Sequence, residues 1–139
     1  MYCKDQSYGT VVIVDDNPIV NLIHRKIIEK TGIADSIHSF TDARKALAYL
    51  YAELTRSGKS VLLLLDINMP EMSGFEFLDP ASMFQKKGIV LDIIIVSSSI
   101  AKNDMEKGLK NDLVSGYIAK PLTGTAIRNF VTNRTPLSA

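Results

Sequence analysis

The feature that most constrains the fold is an alternation of short apolar runs, rich in β-branched residues, with segments of helical periodicity. Strands separated by helices need crossover connections, which favour a mainly parallel sheet covered by helices on both faces. Three runs, VVIV, VLLLL and IIIV, are continuously apolar, as is typical of central strands. We predict strands at Thr10–Asp15, Ile37–Phe40, Val61–Asp66, Asp92–Ser97 and Ser115–Ala119. Because Ile37–Phe40 alternates in polarity, we expect it at an edge of the sheet.

The first helix has clear start and stop signals. Asn17 is a suitable N-cap residue, Pro18 fits the first helical position, and Gly32 suits a left-handed C-terminal cap. The side chains that we expect to face the core are Ile19, Val20, Ile23 and Ile27. Both histidines, His24 in this helix and His38 in the second strand, are expected to be solvated.

The later helices are less uniform. A second helix is predicted after Thr41 and a fifth after Thr123, both with apolar residues at spacings of three and four. Pro80 does not fit a helix interior because it lacks a backbone N–H, so we expect the third helix to break at Asp79. The fourth, at Lys102–Asn111, contains a glycine and few apolar residues and is expected to be marginal.

Size and charge exclude several classes of function. The chain has 139 residues, the size of one domain, and 16 basic against 15 acidic residues give a net charge of +1. This balance argues against a nucleic-acid binder and a polybasic membrane-surface module. The single cysteine, Cys3, cannot form an internal disulfide, and no apolar run approaches membrane-spanning length. We expect a soluble cytoplasmic domain at residues 10–133, with a flexible arm at residues 1–9 and a tail at residues 134–139.

Polar side chains stand where four of the predicted strands end. These residues are Asp15, Asp16, Asp66, Ser97 and Lys120. In an open parallel sheet, ligands bind outside the carboxyl ends of the strands. The five side chains are therefore expected to converge at one edge of the sheet, and this edge is the candidate site.

The residue types at this edge point to metal-assisted phosphate chemistry. Three carboxylates repel one another unless a cation lies between them, and an all-oxygen ligand set selects a hard ion such as Mg²⁺, with Mn²⁺ as a second candidate. Lys120 adds a positive charge beyond what a metal site alone requires. One carboxylate could then be a nucleophile that accepts a phosphoryl group. Asp66 is the best candidate because it stands alone on the central strand.

Four motifs of the chain, in this order, resemble those of the response regulator receiver domain. They are VVIVDDN, LLLLDINMPEMSGFEFL, IIIVSSS and GYIAKPL. The resemblance extends from about Thr10 to Val131, and four motifs together are far more specific than any one alone. It implies an α/β fold of the flavodoxin-like, doubly wound type, with five parallel strands in the order 2-1-3-4-5 and helices on both faces.

The same resemblance implies what the acidic residues do. Asp66 would receive a phosphoryl group from the phosphohistidine of a sensor histidine kinase or of a histidine phosphotransfer protein. Mg²⁺ would be bound by Asp15, Asp16, Asp66 and the backbone carbonyl of Asn68. We therefore expect the chain to be a phosphoacceptor of two-component or phosphorelay signalling rather than an enzyme that releases a product.

Further roles follow from the resemblance at the other strand ends. Ser97 would be the switch hydroxyl, Lys120 the lysine that pairs with phosphate, and Tyr117 the aromatic residue that changes rotamer on activation. In the family, the peptide bond of the Lys-Pro pair is usually cis. Three further residues of the motifs, Pro70, Gly74 and Pro121, are expected to have structural roles.

Phosphorylation would change the surface of the fourth helix, fifth strand and fifth helix, which a downstream protein would read. A phosphorylation-dependent homodimer is compatible with this scheme, and no nucleic acid or membrane is expected as a partner. Two alternatives stay open. One is an aspartate-nucleophile phosphatase of the haloacid-dehalogenase type, although Asn68 stands where that class needs a second acid. The other is a docking domain that works without phosphorylation.

Overall fold

The computed structural model describes residues 8–57, 60–69, 72–86, 90–98, 106, 107, 110 and 112–133. Within these residues we name five strands and four helices in chain order. They are β1 (Tyr8–Val14), α1 (Pro18–Thr31), β2 (Ala34–Phe40), α2 (Ala43–Ser57), β3 (Val61–Leu65), α3 (Gly74–Lys86), β4 (Leu91–Ser97), β5 (Val114–Ala119) and α4 (Gly124–Asn133). Helix α4 corresponds to the fifth predicted helix. The predicted fourth helix, Lys102–Asn111, lies outside the described residues apart from Glu106, Lys107 and Lys110.

The five strands form one parallel sheet in the order β2-β1-β3-β4-β5. This order confirms the predicted flavodoxin-like α/β fold. All five residues of β3 are buried, whereas those of β2 are half-buried or exposed, as predicted for an edge strand. In the part of the chain that the structure describes, no helix combines the length and the apolar character needed to cross a membrane.

The alternating side chains of the central strands divide between two hydrophobic cores, one on each face of the sheet. On one face, Leu63 and Leu65 of β3 pack with Leu50 of α2 and Phe77 of α3. On the other face, Leu62 and Leu64 pack with buried residues of α1 and α4, which include Ile28, Ile127 and Val131. Helices therefore cover both faces of the sheet.

Helix α3 contradicts the prediction of a break at Asp79. It runs continuously from Gly74 to Lys86 with Pro80 inside it. Proline in a helix interior costs about 3 kcal/mol. The face of α3 that packs on the sheet consists of Phe77, Leu78, Ala81 and Phe84, all at most 4% exposed. Burial of this stripe offsets the cost of the proline, an outcome that local propensity does not reveal.

The N-terminal boundary also needs correction. Tyr8 and Gly9 were predicted to lie in a flexible arm, but both belong to β1. The Tyr8 side chain is 1% exposed, and its hydroxyl donates a hydrogen bond of 2.6 Å to Asp92 Oδ2. Its backbone N–H donates to the carbonyl of Ile33. Burial of the aromatic ring and these two bonds extend the strand beyond the apolar run. The rest of the predicted arm and the predicted tail lie outside the described residues.

Helix α1 begins and ends as predicted. The Asn17 side chain accepts hydrogen bonds from the N–H groups of Ile19 and Val20, at 2.9 and 3.4 Å, and Pro18 occupies the first turn. Gly32 ends the helix with φ of 68°, in the left-handed region where glycine is favoured.

The predicted core stripe of α1 is wrong for Ile19 and Ile23, although Ile27 is partly buried against the core as predicted. Ile19 and Ile23 are 66% and 51% exposed, and the neighbouring Leu22 is 53% exposed. The residues that α1 buries are instead Asn21, His24, Ile28 and Thr31. Burial of polar groups is tolerated where they form hydrogen bonds inside, as the Thr31 hydroxyl does with the Ile28 carbonyl. Helix α1 therefore buries three polar side chains beside Ile28 and leaves three large apolar ones exposed to solvent.

Candidate functional site

Three aspartates meet at the carboxyl end of the sheet. Asp15 and Asp16 directly follow β1, and Asp66 directly follows the neighbouring strand β3. One carboxylate oxygen from each lies within 4.8 Å of the others. Asp15 and Asp66 are only 2% and 5% exposed, whereas Asp16 is exposed to solvent. The expected convergence of the acidic residues is thus present in the structure.

The side chain of Asp15 is held on both oxygens. Its Oδ1 accepts a hydrogen bond of 2.9 Å from the backbone N–H of Asn17, and its Oδ2 lies 2.7 Å from Lys120 Nζ. Lys120 follows β5, and its backbone N–H donates to the carbonyl of Ser97 at the end of β4. The ammonium group also lies 3.8 Å from Asp66 Oδ2. Two buried carboxylates therefore share one lysine.

The environment of Asp66 disfavours its charged form. Burial raises the pKa of the Asp66 carboxyl above its ordinary value, and the negative charge of Asp15 raises it further. The N–H of Asn68, which donates to Asp66 Oδ1 at 3.3 Å, and the Lys120 ammonium lower the pKa but do not cancel these effects. The single lysine thus leaves the three carboxylates incompletely neutralised.

A hard divalent cation fits this donor set. The cluster consists of carboxylates alone, without histidine or cysteine, and oxygen ligands favour Mg²⁺ over softer metals. A cation between the three side chains would relieve the repulsion that, after burial, raises the pKa of Asp66.

Ser97, Asn68 and Tyr117 lie around the acidic cluster on three different segments. Ser97 ends β4, is fully buried, and its Oγ lies 3.5 Å from the side-chain Nδ2 of Asn68. Tyr117 is half-buried in β5, where it pairs with Ile95, two residues before the Ser97–Ala119 pair. The structure therefore brings Ser97 and Asn68 together. Tyr117 lies on the neighbouring strand β5, two residues before the partner of Ser97.

Of the three residues expected to have structural roles, two are described by the structure, Gly74 and Pro121. A side chain on Gly74 would place Cβ only 2.7 Å from the backbone oxygen of Asp66 and 2.8 Å from Ile67 Cα, so that only glycine fits there. The bond between Lys120 and Pro121 is cis, the geometry that the resemblance implies. Pro70 lies outside the described residues.

Two buried residues of α1 near the site were missed by the sequence analysis. Asn21 donates hydrogen bonds from Nδ2 to the carbonyls of Asp15 and Phe40, at 3.0 and 3.1 Å. His24 is 5% exposed, so the expectation that it is solvated is wrong. Burial lowers the pKa of His24, the positive charge of Lys120 lowers it further, and Asp15 opposes the shift. A signal was available, because Asn21, His24, Ile28 and Thr31 recur at helical spacing.

An apolar surface borders the site on the α1 side. A cleft of about 360 Å³ opens between α1 and the Lys120–Pro121 turn. It is lined by Val20, Ile23, His24, Lys120, Pro121 and Leu122. The exposed residues Ile19, Leu22 and Ile23, which we call the α1 apolar patch, occupy the outer side of the same helix. Apolar groups at the rim of a charged site are typical of a surface that another protein contacts.

The chain matches the response regulator receiver domain over residues 11–132, which is nearly the whole of it. The match agrees with the strand order and with the aspartate cluster at the carboxyl end of the sheet. The chain therefore belongs to the response regulator receiver domain family. Members of this family are signalling domains of two-component and phosphorelay systems and bind Mg²⁺ at an aspartate cluster.

Individual relatives agree with the family. A two-component response regulator from Cytophaga hutchinsonii has a similar structure, with 32% identity, a TM-score of 0.81, and coverage of 92% of this chain and 99% of that one. The sensor histidine kinase CheAY of Helicobacter pylori is 28% identical over 123 residues, which are 87% of this chain but 14% of the kinase. A CheX-CheY-BeF3-Mg complex from Borrelia burgdorferi shares the fold, with a TM-score of 0.70, 22% identity, and coverage of 88% and 86%.

Proposed function

We propose that this receiver domain accepts a phosphoryl group on Asp66, in a Mg²⁺-dependent reaction, from the phosphohistidine of a sensor histidine kinase or of a histidine phosphotransfer protein. The observation that carries the proposal is the setting of Asp66, a carboxylate 5% exposed beside two other aspartates and 3.8 Å from the Lys120 ammonium. With a divalent cation bound by the carboxylates, the cation and Lys120 together would stabilise the negative charge of an incoming phosphoryl group beside Asp66.

Asp66 is favoured over its neighbours as the nucleophile because of its contacts. Both oxygens of Asp15 are engaged at short distance, by Asn17 N–H and by Lys120. Asp16 is exposed to solvent, and hydration makes an exposed carboxylate a weak nucleophile. The Oδ2 of Asp66 lies beyond direct hydrogen-bonding distance from Lys120, so this oxygen is the better placed to form a new bond.

The reaction exchanges one phosphorus bond for another. An Asp66 oxygen forms a bond to phosphorus, the phosphorus–nitrogen bond of the donor breaks, and the imidazole leaves with its electron pair. Lys120 offsets negative charge on the phosphoryl oxygens and on the acyl phosphate that results. A bound Mg²⁺, held by Asp15, Asp16, Asp66 and the Asn68 carbonyl, would supply further positive charge to the same oxygens.

The surroundings support a protein donor rather than a small phosphoester. The α1 apolar patch and the cleft beside Lys120 offer a surface on which a partner helix could rest its apolar side chains. The class of phosphatase considered above needs an acid two residues after its nucleophile, and here that residue is Asn68. We therefore propose that the partner docks over α1, in the cytoplasm, and delivers the phosphoryl group to Asp66.

We propose that the conformational change that follows phosphorylation of Asp66 would begin at Ser97. Its buried hydroxyl lies at the end of β4, where it would donate a hydrogen bond to the phosphoryl group, and Tyr117 would pack inward after it. The surface that changes is formed by the predicted fourth helix, β5 and α4. A downstream protein, or a second phosphorylated copy of the chain, would recognise this surface. The Borrelia complex, whose components include CheX, BeF3 and Mg, supports the idea that a receiver domain in this state engages a partner protein.

The direct test is incubation of the chain with Mg²⁺ and acetyl phosphate, followed by intact-mass spectrometry. We expect one added phosphoryl group in the wild type and none in Asp66→Asn. Asp79→Asn is the matched control, because it removes the same charge from an exposed position on α3 and should be phosphorylated normally. Phosphorylation of Asp66→Asn at the normal rate would exclude Asp66 as the acceptor.

Two further measurements separate the alternatives. Rapid multiple turnover of p-nitrophenyl phosphate by the wild type, without accumulation of phosphorylated chain, would favour the phosphatase, since a phosphoacceptor domain has to retain its phosphoryl group as the signal. Binding to the downstream protein that is unchanged in Asp66→Ala, with and without phosphodonor, would favour a docking domain that works without phosphorylation.

A further inference from the structure

Asn21 is an unusual residue for the core-facing side of a helix. It lies on α1, is 4% exposed, and its amide donates one hydrogen bond to the carbonyl of Asp15 and a second to the carbonyl of Phe40. Asp15 follows β1 and Phe40 ends β2. One side chain therefore connects the ends of two neighbouring strands to the helix that begins between them in sequence.

The bonds of Asn21 act on the backbone of the acidic turn. The side chain of Asp15 is already fixed by Asn17 N–H and Lys120 Nζ, and its backbone N–H donates to the Phe40 carbonyl at 3.1 Å. The carbonyl of Asp15 begins the peptide unit that leads into Asp16, and Asn21 is the residue that binds this carbonyl. Release of that bond would let the Asp15–Asp16 turn change its orientation relative to Asp66.

Stability alone does not explain the buried amide. The Oδ1 of Asn21 is buried and, among the residues that the structure describes, has no hydrogen-bond partner. A buried polar atom without a partner is destabilising, because burial removes its hydrogen bonds to water. Leucine has the same number of side-chain atoms and would avoid this cost, although it would leave the Asp15 carbonyl unbound. The two effects of such a replacement on the free energy of unfolding are opposite in sign.

We infer that Asn21 is a positioning residue for the metal site, one that holds the Asp15–Asp16 turn in the orientation in which its carboxylates bind a divalent cation. The inference rests on the proposed function, because the cation belongs to the same site. Asn21 contacts neither the cation nor the phosphoryl group and acts only through Asp15. Residues that orient metal ligands in this way typically change metal affinity about 10–100-fold when they are replaced.

The experiment measures the Kd for Mg²⁺ from amide chemical shifts during a titration of the full chain. We expect the Kd of Asn21→Leu to rise about tenfold or more, with a melting temperature close to that of the wild type. Asn21→Ala removes the same two hydrogen bonds without a bulky side chain, so it serves as a second variant if leucine does not fit. Its Kd for Mg²⁺ should rise to a similar extent. Thr31→Val is the control, since Thr31 is a buried polar residue at the other end of α1, and its Kd should equal that of the wild type.

The outcomes separate this inference from the proposed function. A wild-type Kd in folded Asn21→Leu and Asn21→Ala would overturn the role of Asn21 and leave the proposed function intact. An equal loss of affinity in Thr31→Val would also overturn it, because any loosening of α1 would then suffice. A wild-type chain that binds no Mg²⁺ would overturn both.

Discussion

Helices α1 and α2 pack on opposite faces of the same sheet and have similar lengths, 14 and 15 residues, yet they bury different kinds of side chain. Helix α2 buries Ala43, Ala46 and Leu50, all apolar. Helix α1 buries Ile28 together with three polar residues, Asn21, His24 and Thr31. Its large apolar residues at positions 19, 22 and 23 are more than half exposed.

The contrast follows from what each helix has to do. The buried residues of α2 whose side chains the structure describes fill one hydrophobic core, and their spacing is the one expected for burial alone. Helix α1 begins immediately after two of the three clustered aspartates, so its inner face must also supply hydrogen bonds to the strand ends. Its outer face borders the cleft beside Lys120. A helix next to a site can thus bury several polar side chains where a helix that only packs buries apolar ones.

The largest expected effect is on α2. Leu50 is fully buried, so Leu50→Ala should lower the free energy of unfolding by about 2–5 kcal/mol, while the Kd for Mg²⁺ stays at its wild-type value. Chemical denaturation followed by circular dichroism measures the first quantity. Leu22→Ala on α1, where the side chain is 53% exposed, should change the free energy of unfolding by no more than about 0.5 kcal/mol. Equal destabilisation by the two substitutions would contradict the comparison.

The next effect concerns partner recognition. Leu22→Ala should slow phosphotransfer from a histidine-phosphorylated partner protein about tenfold, which corresponds to ~1.4 kcal/mol, because the α1 apolar patch loses its central side chain. The rate with acetyl phosphate should be unchanged, since this donor needs no docking surface. Tyr51→Ala on α2 is the matched control, as Tyr51 is a large side chain 56% exposed on the opposite face of the sheet. An equal loss in Tyr51→Ala, or a loss with acetyl phosphate, would contradict a docking role for the patch.

The same contrast explains which parts of the structure could be predicted from sequence. Apolar runs in β3 and β4 are buried on both faces, so their composition alone indicates central strands. The convergence of Asp15, Asp66 and Lys120 follows from parallel topology, which brings strand ends together whatever the details of packing. These features depend on patterns that many side chains share.

The errors occurred where one contact outweighs a local rule. Pro80 was expected to break α3, but burial of Phe77 and its neighbours keeps the helix continuous. Tyr8 extends β1 through a hydrogen bond to Asp92, which is 84 residues away in sequence. The orientation of α1 was misjudged because the apolar residues were assumed to face inward, whereas Asn21 is buried with hydrogen bonds to two backbone carbonyls. Such contacts depend on tertiary packing, which local propensity does not reveal.

The smallest effect arises from the buried histidine of α1. The pKa of His24 in the folded chain lies below its ordinary value of 6.5, chiefly because of burial and then because of Lys120. Between these two values, the unfolded chain binds a proton at His24 and the folded chain does not. The free energy of unfolding should therefore fall as the pH is lowered through this window, by less than about 1.4 kcal/mol per pH unit for one group. Above this window, His24 is neutral in both the folded and the unfolded chain, so it no longer makes the free energy of unfolding depend on pH.

Urea denaturation at a series of pH values below 7, without Mg²⁺, measures this effect as a difference between the wild type and His24→Leu. The difference isolates His24 from Asp66, whose raised pKa gives a dependence of opposite sign at lower pH. Lys120 and Asp15 are the charged groups that act on His24, and both stay in place in the variant. We expect the stability of His24→Leu to depend less steeply on pH over the window. Parallel curves for the two proteins would contradict a pH-dependent contribution of His24 to stability.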